Sequence, residues 1–424
     1  MSFLTGFNAV LWGKVMVALL LFSGIYLSLK TGFIQVHKFR FMLKNTILGV
    51  FGKQKNNSLE GVTPFQAMAT ALGGTIGTGS ITGIITAITL GGAGTVFWMW
   101  ASAFFGMATK YSEIVLAQHY REKNRDGKIT GGPMFYIEKG TGKRWLAVLF
   151  SIFAVFASFG IGNMVQANAI TDAVSRIAGV SPWITGALLC AFSGFVILGG
   201  VGFIVKVNEK LVPAMAFFYI ACTVIILFIN SREIPAALSL IFNEAFSLRA
   251  ITGGAVQLGF SRGIFSNEAG LGSAPMAHGT VDVSNPCNQG LWGIFEVFFA
   301  TMVICTLTAL CVITSHLGGA DIFSQNPGKI GVGIATVLFA LSSILGWGYY
   351  GEVCVCYIFK SSKAVVDCYR LIFVAFVFVG AISRLDAVWT TAEIMNAFMA
   401  IPNIIALVML GSTVKRLTQK YFKK

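Results

Sequence analysis

The chain has 424 residues, of which 55% are hydrophobic and only 11% are charged, whereas a soluble domain carries about 25% charged residues. Its net charge of +14 comes from basic residues in a few stretches between apolar runs, a pattern that membrane topology explains better than nucleic-acid binding. Those runs are long enough to cross about 30 Å of hydrocarbon, and apolar and polar residues do not alternate within them. The sequence therefore predicts an all-α polytopic membrane protein and not a β-barrel.

Eleven membrane spans are predicted from the apolar runs. Numbered 1 to 11 in chain order, they cover residues 8–29, 62–91, 95–119, 145–172, 182–205, 208–230, 251–273, 289–315, 331–358, 364–383 and 388–413. Span 1 is long and lacks a small-residue cleavage site, so it is not expected to be a cleaved signal. The linker after it mixes basic and apolar residues, which predicts an amphipathic helix on the membrane surface. Its apolar residues are Phe33, Phe39, Phe41, Ile47 and Phe51.

The loops between the spans predict an orientation. With the N-terminus outside, the inner loops and tail carry 22 Lys and Arg, and the outer loops carry five. The positive-inside rule therefore predicts an outer N-terminus and a cytoplasmic C-terminus. The expected organisation is an N-terminal span with its linker (1–61), a first block of five spans (62–230), a second block of five (251–413) and a basic tail (414–424).

Two of the spans are interrupted by glycines. Span 2 contains GGTIGTGSITG (Gly73–Gly83), and span 7 contains Gly253 and Gly254 followed by GFSRGIFSNEAGLGS (Gly259–Ser273). Each glycine costs about 1 kcal/mol in a helix relative to alanine, so these spans are expected to unwind. Unwound backbone is tolerated at membrane depth where it lines a cavity, and there it binds anionic groups and Na⁺. The alternative interpretation is close helix packing through small residues.

The positions of the two glycine stretches favour transport. Each opens a block of five spans, and an odd number of spans starts the second block from the opposite side of the membrane. Inverted repeats with discontinuous helices are typical of secondary transporters. The sequence therefore predicts a five-plus-five inverted repeat preceded by one extra helix.

Polar residues of spans 4 and 9 are further candidates for a site. Asn163 and Gln166 are three residues apart and are predicted to share a helix face, where amides can bond both ends of an amino acid. Ser343 and Trp347 are four apart, which places a hydroxyl suited to Na⁺ beside an indole suited to an apolar wall. Contacts between helices are the alternative for each pair.

Titratable residues leave proton coupling open. Carboxylates within spans are candidate coupling groups, although pairing with Arg262 or Lys110 is the alternative. They are Glu113, Glu268, Glu296, Glu352 and Glu393. His278 follows span 7 and is a weaker candidate for a proton role. Because no catalytic triad, zinc spacing or redox motif is visible, neither an enzyme nor a bound cofactor is expected.

Several long stretches resemble the alanine/glycine:cation symporter family, also described as sodium:alanine symporters. In chain order they are GGTIGTGSITG (Gly73–Gly83), GGAGTVFWMWASAFFGMATKYSE (Gly91–Glu113), GGPMFYIEKG (Gly131–Gly140), GNMVQAN (Gly162–Asn168), FSRGIFSNEAGLGSAPMAH (Phe260–His278), GWGYYGE (Gly346–Glu352) and MAIPNIIALVMLG (Met399–Gly411). The resemblance implies a leucine-transporter-like fold and sodium-coupled uptake of alanine or glycine through a prokaryotic inner membrane. The partners it implies are a small neutral amino acid, Na⁺ and membrane lipid, with no nucleic acid and no stated oligomer.

The resemblance also implies residue roles. The implied substrate site consists of Gly77, Thr78, Gly79, Asn163, Gln166, Phe265, Ser266 and Trp347. The implied sodium site consists of Gly74, Thr75, Ser342 and Ser343. Two positions depart from the family pattern. Ser80 stands where the family usually has Asn, and Ser343 stands where the family often has Thr. Substrate choice or ion geometry is therefore expected to differ. A proton-coupled transporter and an amino-acid channel remain the alternatives.

Overall fold

The computed structural model describes residues 2–50, 62–123, 127–247, 254–315, 328–383 and 386–423. The described chain is helical apart from a small hairpin, Glu122–Lys123 paired with Ile129–Thr130, and one isolated bridge. Several residues behind the sequence predictions lie outside the described parts. They are Phe51 and the rest of 51–61, Gly253, and the loop and tail residues Lys53, Lys55, Arg125, Arg249, Arg384 and Lys424.

Helices occupy all eleven predicted spans, which confirms the predicted fold class. In chain order the spans are Ser2–Val10 with Leu11–Val15 and Met16–Thr31; Pro64–Thr75 with Thr82–Gly91; Thr95–His119; Arg144–Phe159 with Gly160–Met164 and Val165–Ala178; Pro182–Leu198; Val201–Ile229; Ala255–Asn267 with Ala274–His278; Pro286–Val297 with Phe298–Cys305 and Thr306–Thr314; Gly328–Ile358; Lys363–Ile382; and Asp386–Phe422. Leu11–Val15, Gly160–Met164 and Phe298–Cys305 are π-helical. Shorter helices cover Ile34–His37, Phe39–Asn45, Ile47–Val50, Pro133–Thr141 and Ile234–Ala245.

Length and apolarity alone identify most of these spans. Seven described helices are long and apolar enough to cross a membrane, and the two halves of span 2 make an eighth. Spans 3, 5 and 7 complete the eleven. Span 3 carries Lys110 and Glu113, span 5 has only 17 residues, and span 7 is broken, which explains why length and composition do not select them.

Some boundaries differ from the prediction. Span 5 ends at Leu198 instead of residue 205, because Gly200 adopts φ +80° and breaks the helix before span 6 begins at Val201. The predicted tail is not separate, since span 11 continues as one helix to Phe422. The predicted surface helix of the linker is three short helices in its described part.

Contacts between the spans repeat across the two blocks. Span 3 packs on span 8, span 4 on span 9, and span 5 on span 10. The contact between spans 4 and 11 has its counterpart between spans 9 and 6, and the contact between spans 4 and 10 has its counterpart between spans 9 and 5. Exchanging the blocks therefore preserves the packing, as expected for a pair of repeats. Span 1 lies outside this scheme and packs on spans 3 and 11.

Both glycine-rich spans are broken, as predicted. Span 2 starts with a capping box between Thr63 and Gln66, unwinds at Ile76, forms one 3₁₀ turn over Thr78–Ser80 and resumes at Thr82 with a bend of 66°. Span 7 unwinds at Glu268, which has φ +53°. Gly270 and Gly272 follow at φ +90° and +86°, a conformation that glycine adopts without strain. The two breaks place unwound backbone from both blocks inside the bundle.

Candidate functional site

A cavity lies between the two breaks. It encloses about 600 Å³ of empty space including its opening to solvent. Spans 2, 4, 7, 9 and 11 line it. The lining residues are Gly74, Thr75, Gly77, Thr78, Gly79, Thr82, Gly83, Ile161, Val165, Gln166, Arg262, Phe265, Glu268, Trp347, Trp389 and Glu393.

The unwound part of span 2 forms one wall. A Cβ added to Gly79 would meet no atom within 4 Å, so this stretch of backbone faces open space. A Cβ on Gly77 would instead lie 2.7 Å from Ser343 Oγ, so span 9 can approach only because residue 77 is glycine. The N–H of Thr78 donates to Gln166 Oε1 at 3.3 Å, a long bond that a better acceptor can replace. The predicted residues Gly77, Thr78 and Gly79 therefore do line the cavity.

Span 4 brings Gln166 into the cavity but not Asn163. The Asn163 side chain is fully buried and donates to the carbonyl of Phe373 in span 10 at 2.7 Å. The two amides diverge because Gly160–Met164 is a π-helical turn, whose wider winding breaks the three-residue spacing assumed from the sequence. Gln166 Nε2 donates to the carbonyl of Ile161, within that turn, at 3.1 Å. The structure therefore separates the two predicted amides.

Trp347 of span 9 forms part of the apolar lining of the cavity. Its indole is 1% exposed and packs directly on span 4, where a Cβ added to Gly162 would lie 2.2 Å from Trp347 Cβ. Phe265 of span 7 and the side chains of Ile161 and Val165 complete this apolar part of the lining. Of the predicted substrate residues, Phe265 and Trp347 therefore line the cavity.

Charged and aromatic residues of spans 7 and 11 form one end of the cavity. The substrate site predicted from the sequence did not include Arg262, Trp389 or Glu393. Arg262 Nη1 lies 3.7 Å from Glu393 Oε1, and the indole of Trp389 donates to the same oxygen at 3.0 Å. The Arg262 guanidinium also lies over the ring of Phe265, 5.7 Å from its centroid. The sequence offered Arg262 as an alternative partner for five carboxylates without choosing among them, and the structure places Glu393 beside it.

Other intramembrane carboxylates have local partners. Glu352 accepts two hydrogen bonds from Arg370, at 2.6 and 2.8 Å. Glu296 lies 2.5 Å from His278 Nε2. Glu268 lines the cavity and accepts a hydrogen bond from Ser273 just beyond the break. Glu268 is thus the carboxylate that contributes from span 7 to the cavity itself.

The hydroxyls of span 9 approach the end of the first half of span 2. Ser342 Oγ and Ser343 Oγ lie 3.2 and 3.1 Å from the Gly73 carbonyl, and Ser343 Oγ lies 3.4 Å from that of Gly74. These carbonyls belong to the last turn of a helix, where the helix dipole favours a cation. The Thr75 hydroxyl instead donates to the Ala71 carbonyl at 2.8 Å. The oxygens brought together suit Na⁺. Compared with the predicted sodium site, the carbonyl of Gly73 is added and the hydroxyl of Thr75 points away from the other oxygens.

Ser80 and Ser266 lie behind the cavity wall. Both side chains are fully buried, their hydroxyls are 3.4 Å apart, and neither residue lines the cavity. Ser266 Oγ also lies 2.7 Å from Cys305 Sγ in span 8, and Thr308 donates to the Ser80 carbonyl at 3.0 Å. Ser80 therefore takes part in the packing of span 2 on spans 7 and 8 and does not line the cavity.

Two discontinuous helices from reciprocal five-helix blocks, meeting at a central cavity, define a secondary transporter. Solved transporters share this fold. The structure of MhsT in complex with L-phenylalanine superposes with a TM-score of 0.58 at 14% identity, covering 83% of this chain and 97% of MhsT. A mutant manganese transporter of Eremococcus coleocola gives 0.51 at 12% identity, over 84% and 76%.

The chain belongs to the sodium:alanine symporter family, whose model matches residues 1–424. It is 42% identical to the sodium/alanine symporter AgcS of Methanococcus maripaludis, over 98% of this chain and 95% of AgcS. It is 36% identical to the probable sodium/glutamine symporter GlnT of Bacillus subtilis, over 98% and 90%. The protein is therefore a sodium-coupled amino-acid symporter and not an enzyme, as the sequence predicted.

Proposed function

We propose that this protein takes up a small neutral amino acid, alanine or glycine, together with Na⁺ across a prokaryotic inner membrane. The observation that carries the proposal is the cavity itself, where open backbone of span 2, the Gln166 amide and an apolar wall face one another. An amino acid presents a carboxylate, an ammonium and a side chain, and the three surfaces suit those three groups.

The carboxylate is assigned to the break in span 2. The second half of this span begins at Thr82, and the positive end of its dipole points toward the break. The N–H of Thr78 reaches Gln166 over a long 3.3 Å bond, so a charged acceptor would compete well for it. Gln166 Oε1, once released, is an acceptor for the ammonium of the same ligand.

The side chain of the ligand is assigned to the apolar wall. Trp347 is held against span 4 by the close contact at Gly162, so it has no room to withdraw from the cavity. A rigid indole that lines the cavity together with Gly79 favours a methyl or hydrogen side chain over a larger one. Alanine and glycine are accordingly proposed ahead of glutamine, the substrate after which the relative GlnT is named.

The coupling ion is assigned to the carbonyls of Gly73 and Gly74 with the hydroxyls of Ser342 and Ser343. This site and the cavity share the broken helix, since Gly74 and Thr75 also line the cavity. Binding of Na⁺ orders the end of the first half-helix beside the Thr78 amide, and linkage requires that each ligand strengthen binding of the other. Movement of one block against the other then exposes the cavity to the two sides of the membrane in turn.

The orientation is proposed from the loop charge, with the N-terminus outside and the C-terminus in the cytoplasm. In that orientation Arg262 and Glu393 lie at the outer end of the cavity, because span 7 runs inward from residue 255 and span 11 runs inward from residue 386. A reporter that works only in the cytoplasm should be active when fused to the C-terminus, and a reporter that works only outside the membrane should be inactive there.

Ser343→Ala is expected to raise the Na⁺ concentration for half-maximal uptake by about fivefold or more, because it removes one oxygen from the ion site. Uptake measured against Na⁺ concentration, at saturating amino acid, gives this value. Ser151→Ala is the matched control, since Ser151 is fully buried, its hydroxyl donates to the carbonyl of Ala147 in its own helix, and it does not line the cavity. An unchanged Na⁺ dependence in Ser343→Ala would place the ion elsewhere.

Thermal shift of the purified protein tests the choice of ligand. A ligand that binds the folded state raises the melting temperature by mass action. Alanine and glycine should stabilise the protein in Na⁺ and much less in K⁺, and glutamine should do so weakly. A larger shift with glutamine than with alanine would reassign the substrate, and equal shifts in Na⁺ and K⁺ would remove sodium from the site.

A further inference from the structure

Span 1 lies outside the repeated blocks, yet it contacts both spans that form the Arg262–Glu393 end of the cavity. Trp12 is 5% exposed, and its indole ring lies 4.2 Å from the ring of Phe265, centroid to centroid. The Trp12 indole N–H donates to the backbone carbonyl of Glu393 at 2.8 Å. One side chain of span 1 therefore touches lining residues of span 7 and span 11 at once.

Asn8 adds a second connection one turn earlier. Its Nδ2 donates to Glu393 Oε2 at 2.5 Å, while the other carboxylate oxygen receives Trp389 at 3.0 Å and faces Arg262 at 3.7 Å. The carboxylate of Glu393 is thus shared between spans 1, 7 and 11. Hydrogen bonds to a charged acceptor are the stronger ones, so Asn8 contributes to where this carboxylate points.

The backbone of span 1 is shaped for this approach. Residues Leu11–Val15 form a π-helical turn, and Trp12 lies inside it. The next residue is Gly13, where an added Cβ would lie 3.0 Å from Gln257 Nε2 of span 7. A π turn and a glycine at one contact let span 1 approach span 7 closely.

We infer that Asn8 and Trp12 are positioning residues for the substrate cavity, holding Glu393 and Phe265 where they line its Arg262–Glu393 end. The inference rests on the proposed function of the cavity. Separation of spans 7 and 11 at this end would break at least one of their contacts with span 1. The strength of these contacts therefore sets how fast a bound amino acid leaves toward that side.

Trp12→Ala is expected to raise the dissociation rate of a bound amino acid by about tenfold or more, since it removes both the ring contact and the hydrogen bond. Trp12→Phe keeps a ring beside Phe265 and removes only the N–H, so its increase should be smaller, on the order of threefold. Asn8→Ala should resemble Trp12→Phe. The measurement is release of radiolabelled alanine from purified full-length protein in Na⁺, with the melting temperature of each variant recorded in parallel.

Leu27→Ala is the matched control. Leu27 is fully buried on the same helix, about four turns from Trp12, and belongs to the main core. This variant should lower the melting temperature and leave the dissociation rate unchanged. Trp12→Phe and Asn8→Ala remove little volume, so they keep the test valid if Trp12→Ala does not fold.

Two results would overturn the inference. One is an unchanged dissociation rate in folded Trp12→Phe and Asn8→Ala, and the other is an equal increase in Leu27→Ala, which would reduce span 1 to a packing element. Failure of the wild-type protein to bind alanine or any other amino acid in Na⁺ is a separate outcome. It would refute the proposed function of the cavity, and with it the role assigned to span 1.

Discussion

Gln166→Ala is expected to weaken amino-acid binding by more than about tenfold, because it removes a polar partner from a buried site. The side chain is 5% exposed, lines the cavity and accepts from the Thr78 amide that is assigned to the ligand carboxylate. Equilibrium binding of labelled alanine in saturating Na⁺ measures the loss.

Asn163→Ala supplies the comparison for Gln166. Both amides are in span 4, but the Asn163 side chain contacts span 10 through the carbonyl of Phe373. Loss of the Asn163 side chain should lower the melting temperature of the protein, while the affinity for alanine changes by less than about threefold. Equal losses of affinity in the two variants would mean that both amides face the ligand in the binding state. Unchanged affinity in Gln166→Ala would remove this residue from the site.

Gly162→Ala is expected to reduce uptake to less than about a tenth of wild type, because overpacking between two rigid helices displaces one of them. The added methyl would lie 2.2 Å from Trp347 Cβ and 2.3 Å from its Cγ, both atoms that cannot turn away. The Trp347 indole, which lines the cavity, must therefore shift. Uptake of labelled alanine, normalised to the amount of folded protein, measures the effect.

Gly202→Ala is the control for Gly162. A Cβ at Gly202, in span 6, would meet no atom within 4 Å. Alanine also has the higher helix propensity, so this variant should be as active and as stable as wild type. Normal uptake in Gly162→Ala would contradict the close packing of Trp347 on span 4 during transport.

The spans and their breaks were predictable because the length of an apolar run and its glycine content depend only on neighbouring residues in the sequence. The break at Ile76 and Gly77 and the unwinding at Glu268 both fall inside the glycine stretches identified from the sequence. Helix ends were less predictable. Span 6 starts seven residues before the predicted residue 208, since Lys206 and Lys210 join its first turns and do not form a loop.

Parts of the site were not predictable because they depend on winding and on contacts between distant spans. The π turn at Gly160–Met164 separates Asn163 from Gln166, and no residue pattern marked that turn. Ser266 lies in the wound part of span 7, which ends at Asn267, so its hydroxyl meets span 8 while Phe265 faces the cavity. Which of the five carboxylates would lie beside Arg262 could not be chosen from the sequence, because Glu393 is 131 residues away and reaches it only through the packing of spans 7 and 11.

Uptake of labelled alanine into proteoliposomes tests the central claim most directly. With an inward Na⁺ gradient, the protein should accumulate alanine above the external concentration, and uptake should saturate with both alanine and Na⁺. Replacing Na⁺ with K⁺ should abolish accumulation. Flux that does not saturate and needs no gradient would indicate a channel, and accumulation driven by a proton gradient alone would contradict sodium coupling.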